Sequence, residues 1–228
     1  MILVYSLIFA ILLSLIFTSS IKKNPWYYYS LAIIVATATT IFEIYKLVYN
    51  VKLSGFIQIL EIASIKGIIS IAFFALVMFA GVLCKKWLVT RKLLIIRSQL
   101  AIIASILMLP HGIIYLVKFL IFSLPGLFSS SPFPFAYFTF TIIGIIAFFI
   151  MLPLFITSFK EIRIKMKGSD WKKYQKCAYI FYLLSYLHII IILLNDDTID
   201  WLKIITYTVI FGAYTIGKLI KCIKIRNS

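Results

Sequence analysis

Seven apolar runs, each near the length that carries a helix across a bilayer, dominate this chain: about 2 to 20, 27 to 50, 67 to 84, 94 to 121, 135 to 158, 174 to 194 and 201 to 221. A hydrocarbon core of about 30 Å asks for about 20 apolar residues at about 1.5 Å per residue. Water is absent there, so an unclosed strand would leave backbone groups unpaired and each run is expected to be helical. Composition agrees: 63% of the 228 residues are hydrophobic and 13% charged, with mean hydropathy +1.08. That leaves too little polar surface for a water-soluble domain of this size. The expected fold is an all-α integral membrane bundle of about seven transmembrane helices, with the lipid bilayer as its main partner. The first run has no basic residue before it and no small-residue cleavage pattern after it, so it is read as a retained span.

The punctuation between runs divides the chain into two N-terminal helices (1–50), an interfacial segment (51–66), a main transmembrane region (67–222) and a basic tail (223–228). In the interfacial segment Leu53, Phe56, Ile57, Leu60 and Ala63 recur at helical spacing, with Ser54, Gln58, Glu61 and Ser64 on other faces. The stretch 124–134, with Pro125, Gly126, three serines, Pro132 and Pro134, reads as a loop.

A net charge of +16 would suggest nucleic acid in a soluble protein, but the basic residues sit in short segments between apolar runs. Lys22 and Lys23 follow the first run; Lys85, Lys86, Arg91, Lys92 and Arg97 follow the third. Seven lie between Lys160 and Lys176, and Lys218, Lys221, Lys224 and Arg226 close the chain; together these are 18 of the 23. If the helices alternate, all fall on one side, opposite Asp196, Asp197 and Asp200. The pattern predicts an external N-terminus, a cytoplasmic C-terminus and a multi-pass cell-membrane protein, with no nucleic-acid partner. Cys84, Cys177 and Cys222 lack paired spacing and are read as reduced thiols without a metal role.

The chain has two histidines, His111 in the fourth run and His188 in the sixth, both runs crossing in the same direction. His111 precedes Lys118 by seven residues and His188 precedes Asp196 by eight, which places each about 10–12 Å inside the outer boundary. Two imidazoles at matched depth on parallel helices can clamp a flat cofactor, the geometry of a haem b with two axial histidines. The alternative is that each simply hydrogen-bonds between helices. Pro110 removes the amide that would bond the Ile106 carbonyl and is compatible with either.

Two blocks of sequence carry a resemblance. Arg97-Ser98-Gln99-Leu100 followed by Pro110-His111-Gly112-Ile113-Ile114-Tyr115-Leu116 resembles the ferric reductase-like transmembrane family, whose MsrQ-type members carry a basic residue before an HxxxY. Thr157-Ser158-Phe159, then Trp171, Tyr174, Tyr179 and His188, resemble that family's second block. The likeness covers about residues 67–222 and implies a six-helix haem-binding core plus an N-terminal helix.

It further implies a membrane oxidoreductase subunit in which His111 and His188 are the axial ligands of haem iron. Electrons would pass outward to an extracytoplasmic redox partner: a methionine sulfoxide reductase, a flavoprotein or ferric iron. Many members stack two haems, but the inward positions here are Arg97 and Gln175, neither a haem ligand. A single outer haem is therefore expected. The chain has no GxGxxG fingerprint, so the donor is expected to be a cytoplasmic flavin reductase with FMN, or a membrane quinol. A different class of function, a transporter or assembly protein with structural histidines, is the alternative.

Other polar residues have plainer readings. Glu43 and Lys46 are expected to form a local ion pair. Lys118 is placed to snorkel or to meet a haem propionate. Tyr174, Tyr179, Tyr182 and Tyr186 fit helix packing as well as a cofactor wall.

Overall fold

The computed structural model describes residues 2–49, 51, 53–126 and 135–226, and among them every regular element is helical. In chain order these are α1 (Ile2–Ile16), α2 (Thr18–Lys23), α3 (Pro25–Tyr49), α4 (Gly55–Ile65), α5 (Ile68–Ala80), α6 (Leu88–Ile95) and α7 (Arg97–Lys118). A π-helical turn, Phe119–Ser123, leads into α8 (Leu124–Gly126), followed by α9 (Phe135–Ile156), α10 (Lys160–Arg163), α11 (Gly168–Leu194) and α12 (Trp201–Arg226).

Among the described residues five helical stretches are long and apolar enough to cross a membrane unaided: α3, Arg97–Ser123, α9, α11 and Trp201–Ile223. A sixth crossing arises only if α4 and α5 count as one, bent by 56°. The helix expected at the interface, α4, and the third apolar run meet at Gly67, whose φ of +68° is left-handed backbone that glycine adopts without strain. The first run gives a helix of 15 residues, about 22 Å long at about 1.5 Å per residue. Part of the expected 124–134 loop is helical, because the turn after Lys118 continues through Gly126; residues 127–134 lie outside the described residues.

The chain forms two compact units, Met1–His111 and Gly112–Ser228. In the first, α5 is apolar all round and buries ten of its 13 residues, the pattern of a central rather than a surface helix. Against it α1 sets Leu3 and, from Ser6 through Ala10 to Ser14, a row of small residues that lets two helices approach closely. Ser70 on α5 donates to the Ala104 carbonyl of α7 at 2.5 Å, and Leu100, Ile103, Ala104 and Met108 of α7 are buried. Along α3, Leu31, Ile34, Ile41, Ile44 and Leu47 are exposed, as side chains facing hydrocarbon should be. In the second unit α9 pairs along its length with α11, and α12 packs on α11 through Tyr182–Tyr214 and Tyr186–Phe211 ring contacts.

Candidate functional site

His111 stands one residue after Pro110 in α7 and reaches the C-terminal end of α4, where its Nδ1 lies 2.9 Å from the Ile65 carbonyl oxygen. The last carbonyls of a helix have no partner within it, and the bend at Gly67 turns α5 away, so Ile65 offers one of these to the imidazole. A carbonyl can only accept, so Nδ1 carries a hydrogen, and in the neutral ring the lone pair is then on Nε2. A Cβ built on Gly67 would stand 2.9 Å from Met108 Sδ, at the end of a flexible side chain, and 3.5 Å from His111 Cγ, an ordinary contact distance.

His188, on α11, is held by the same device on another helix. Its Nδ1 lies 2.7 Å from the Phe140 carbonyl oxygen of α9, and the Phe140 ring meets it edge-on at 6.1 Å between centroids. One turn along α9, Gly144 lies under the imidazole: a Cβ there would be 2.7 Å from both Cε1 and Nδ1 and 3.4 Å from Nε2. This ring, too, carries its hydrogen on Nδ1 and its lone pair on Nε2. His111 belongs to the first unit and His188 to the second. Relative to helix ends they differ: His111 is near the middle of the 27-residue stretch Arg97–Ser123, whereas His188 is six residues before Leu194.

Each imidazole, taken within its own unit, is arranged as a metal-binding histidine would be. Metal-bound histidines characteristically donate their second ring N–H to a carbonyl or carboxylate, which fixes the tautomer and the ring plane. Among the described residues no group of three or more His, Cys, Asp or Glu could hold a metal ion. Two axial imidazoles, by contrast, are all that a bis-histidine haem asks of the protein.

The inward positions are occupied with other bonding. Arg97 Nε donates to the Val77 carbonyl at 3.1 Å. Gln175 Nε2 donates to Thr157 Oγ1 at 3.3 Å, and Trp171 Nε1 donates to the Thr157 carbonyl at 3.2 Å, so the Thr157-Ser158-Phe159 block grips the start of α11. The Thr157 hydroxyl in turn donates to the Pro153 carbonyl at 2.7 Å.

Of the remaining candidates, Lys46 is bound more tightly to Glu61 (2.6 Å) than to Glu43 (3.7 Å), which enlarges the expected local pair into a cluster between α3 and α4. The Lys118 ammonium sits over the Tyr115 ring, 5.4 Å from its centroid. Tyr182 and Tyr186 pack on α12, with Tyr186 Oη 3.1 Å from Thr208 Oγ1, and Lys218 lies over the Tyr179 ring. Lys165, Lys167 and Lys173 line an open groove with Asp170 at the start of α11. Cys84 and Cys222 are exposed and Cys177 half-buried, all as free thiols. Sequence reasoning missed Ile65, Gly67, Phe140 and Gly144, whose parts are played by backbone oxygens and absent side chains.

The family described as ferric reductase like transmembrane component matches residues 66–192, more than half of the chain and inclusive of both histidines. An uncharacterized protein of Treponema pallidum (strain Nichols) is 33% identical over 158 residues, which is 68% of this chain and 43% of that relative. The chain thus matches less than half the length of this relative.

Proposed function

This chain belongs to the ferric reductase-like transmembrane component family, and we propose that it is a haem b electron-transfer protein in which His111 and His188 supply the two axial imidazoles. Electrons come from a cytoplasmic flavin (FMN) or a membrane quinol and leave to an extracytoplasmic redox partner, with the basic loops on the cytoplasmic side. The observation that carries this reading is the shared Nδ1-to-carbonyl bond, 2.9 Å at His111 and 2.7 Å at His188, which prepares both rings to ligate through Nε2.

The residues present divide the work. The Ile65 and Phe140 carbonyls orient the imidazoles, and the Phe140 ring lies edge-on against His188. The group so held supplies a one-electron Fe(III)/Fe(II) couple, whose potential depends on axial ligands and burial. Arg97 and Gln175 are committed to helix contacts and favour one haem rather than two.

The test is an absorption spectrum of the detergent-purified protein, oxidised and dithionite-reduced, with a pyridine haemochrome assay. A b-type spectrum near one haem per chain that is lost in His111→Ala and in His188→Ala is the expected result. Haem loading that survives both substitutions, or protein that neither contains nor takes up haem, refutes the assignment.

A further inference from the structure

Each imidazole has a carbonyl on Nδ1 and a glycine in the neighbouring segment: at His188 the glycine lies against the ring, and at His111 it shapes the turn that carries the carbonyl. At His188 the two belong to one turn of α9. Phe140 precedes Gly144 by four residues, so the accepting oxygen and the bare Cα share a helix face. A methyl on residue 144 would stand 2.7 Å from Cε1 and Nδ1, well inside van der Waals contact, and the ring could escape it only by moving off α9 and away from the carbonyl.

At His111 the glycine acts from the chain that follows the carbonyl. Gly67 lies two residues after Ile65, and its φ of +68° turns the chain from α4 into α5 while leaving the Ile65 oxygen beside the imidazole. An alanine there would adopt that φ only with strain, and relieving the strain would shift the turn that holds the Ile65 oxygen beside the ring; its methyl would meet only the flexible end of Met108 closely, at 2.9 Å.

Which nitrogen of a neutral imidazole holds the proton is decided by the hydrogen bond the ring makes. We propose that Gly67 and Gly144 are positioning residues that lock His111 and His188 as Nδ1–H tautomers, so that both present the Nε2 lone pair to haem iron. The proposal rests on the haem reading above, yet its mechanism is a property of the polypeptide alone. Without the glycines the rings leave their carbonyls and take the Nε2–H form that neutral imidazole prefers in water, in which the nitrogen meant for the metal is blocked.

Two histidines in the whole chain make the test clean, since a protein labelled with ¹⁵N-histidine gives four ring-nitrogen resonances in all. In haem-free protein in detergent at a pH that keeps both rings neutral, both histidines are expected to be protonated on Nδ1. Gly144→Ala is expected to move the His188 proton to Nε2 and leave His111 unchanged, Gly67→Ala to do the reverse, and Gly212→Ala, whose Cβ meets nothing within 4 Å, to change neither. An Nε2–H signal from either histidine in the unsubstituted protein overturns the proposal without recourse to any variant, as do unchanged tautomers in Gly144→Ala and Gly67→Ala.

Haem titration of the same samples separates this idea from the reading it rests on. Nδ1–H tautomers in a protein that takes up no haem would refute the haem assignment and leave the glycines' action on the rings intact. Haem-loaded protein with Nε2–H rings in the haem-free state would do the opposite.

Discussion

Replacing Lys46 by methionine keeps the length and apolar stem of the side chain and deletes the ammonium that Glu43 and Glu61 share. Its Nζ is 2.6 Å from Glu61 Oε1 and 3.7 Å from Glu43 Oε1, and the two glutamate side chains are 9% and 5% exposed. A hydrogen bond between charged groups contributes about 1.5–3 kcal/mol net, and removing one partner of a fully buried ion pair costs about 3–5 kcal/mol. The lysine side chain is 39% exposed, so solvent screens part of the interaction and the upper figure is too large.

The expected loss is about 2–4 kcal/mol, or roughly 4–16 °C in the unfolding midpoint at about 2–4 °C per kcal/mol. Circular dichroism during heating in detergent measures it. Adding Glu61→Gln to the variant removes one of the two facing carboxylates and should restore about half of the loss or more, a coupling that a double-mutant cycle reads directly. The reasoning fails if Lys46→Met lies within about 0.5 kcal/mol of the parent, the range of an ordinary surface change, or if the double variant is less stable than the single one.

Three further outcomes follow from the geometry. Ser70→Ala removes the donor to Ala104 at a site 1% exposed and should cost about 0.5–1.5 kcal/mol in the same melting assay. Gln175→His frees Thr157 of its amide partner but provides only one imidazole at the inner level, so pyridine haemochrome should stay at one haem per chain; a second haem would show that the inner site is a near-complete pocket. Asp200 accepts hydrogen bonds from the Lys203 ammonium and backbone N–H at the start of α12, and these hold its carboxyl below the usual aspartate range. A depressed carboxyl adds stability above its unfolded pKa and loses it as pH falls through the folded one. In a ¹³C-carboxyl titration, Lys203→Ala should therefore move the Asp200 midpoint upward, and an unmoved midpoint would contradict the assignment.

The sequence carried the membrane character, the helical class and the two histidines, because each is written in residue type: long apolar runs, confined Lys and Arg, and imidazoles too scarce to overlook. Thr157 and Trp171 were legible as a block, and the structure binds them to each other. What holds the imidazoles was not legible. Ile65 and Phe140 act through main-chain oxygens that every residue possesses, and Gly67 and Gly144 act through the side chains they lack. The boundary at 66/67 was legible because amphipathic spacing gives way there to an all-apolar run, but the 56° bend was not, since it depends on the φ value at Gly67. Glu61, placed by its spacing on a polar helix face, proved to be the nearer partner of Lys46 because the two helices meet, a contact separated by 15 residues that no local pattern encodes.

The end of α4 makes the two imidazoles unequal. Ile65 is the last residue of an 11-residue helix, so the oxygen that accepts the His111 Nδ1–H hydrogen bond sits at the negative pole of a macrodipole equivalent to about half an electronic charge. Phe140 lies in the second turn of α9, past the stretch over which a helix end exerts much field. The acceptor facing His111 therefore draws harder on the Nδ1–H and leaves more electron density on the far nitrogen of that ring than the acceptor facing His188 does. Lys66, exposed immediately beyond Ile65, sets a positive charge against the same pole. Its charge is thus a handle by which the donor strength of one histidine can be tuned while the other, and both side chains, stay as they are.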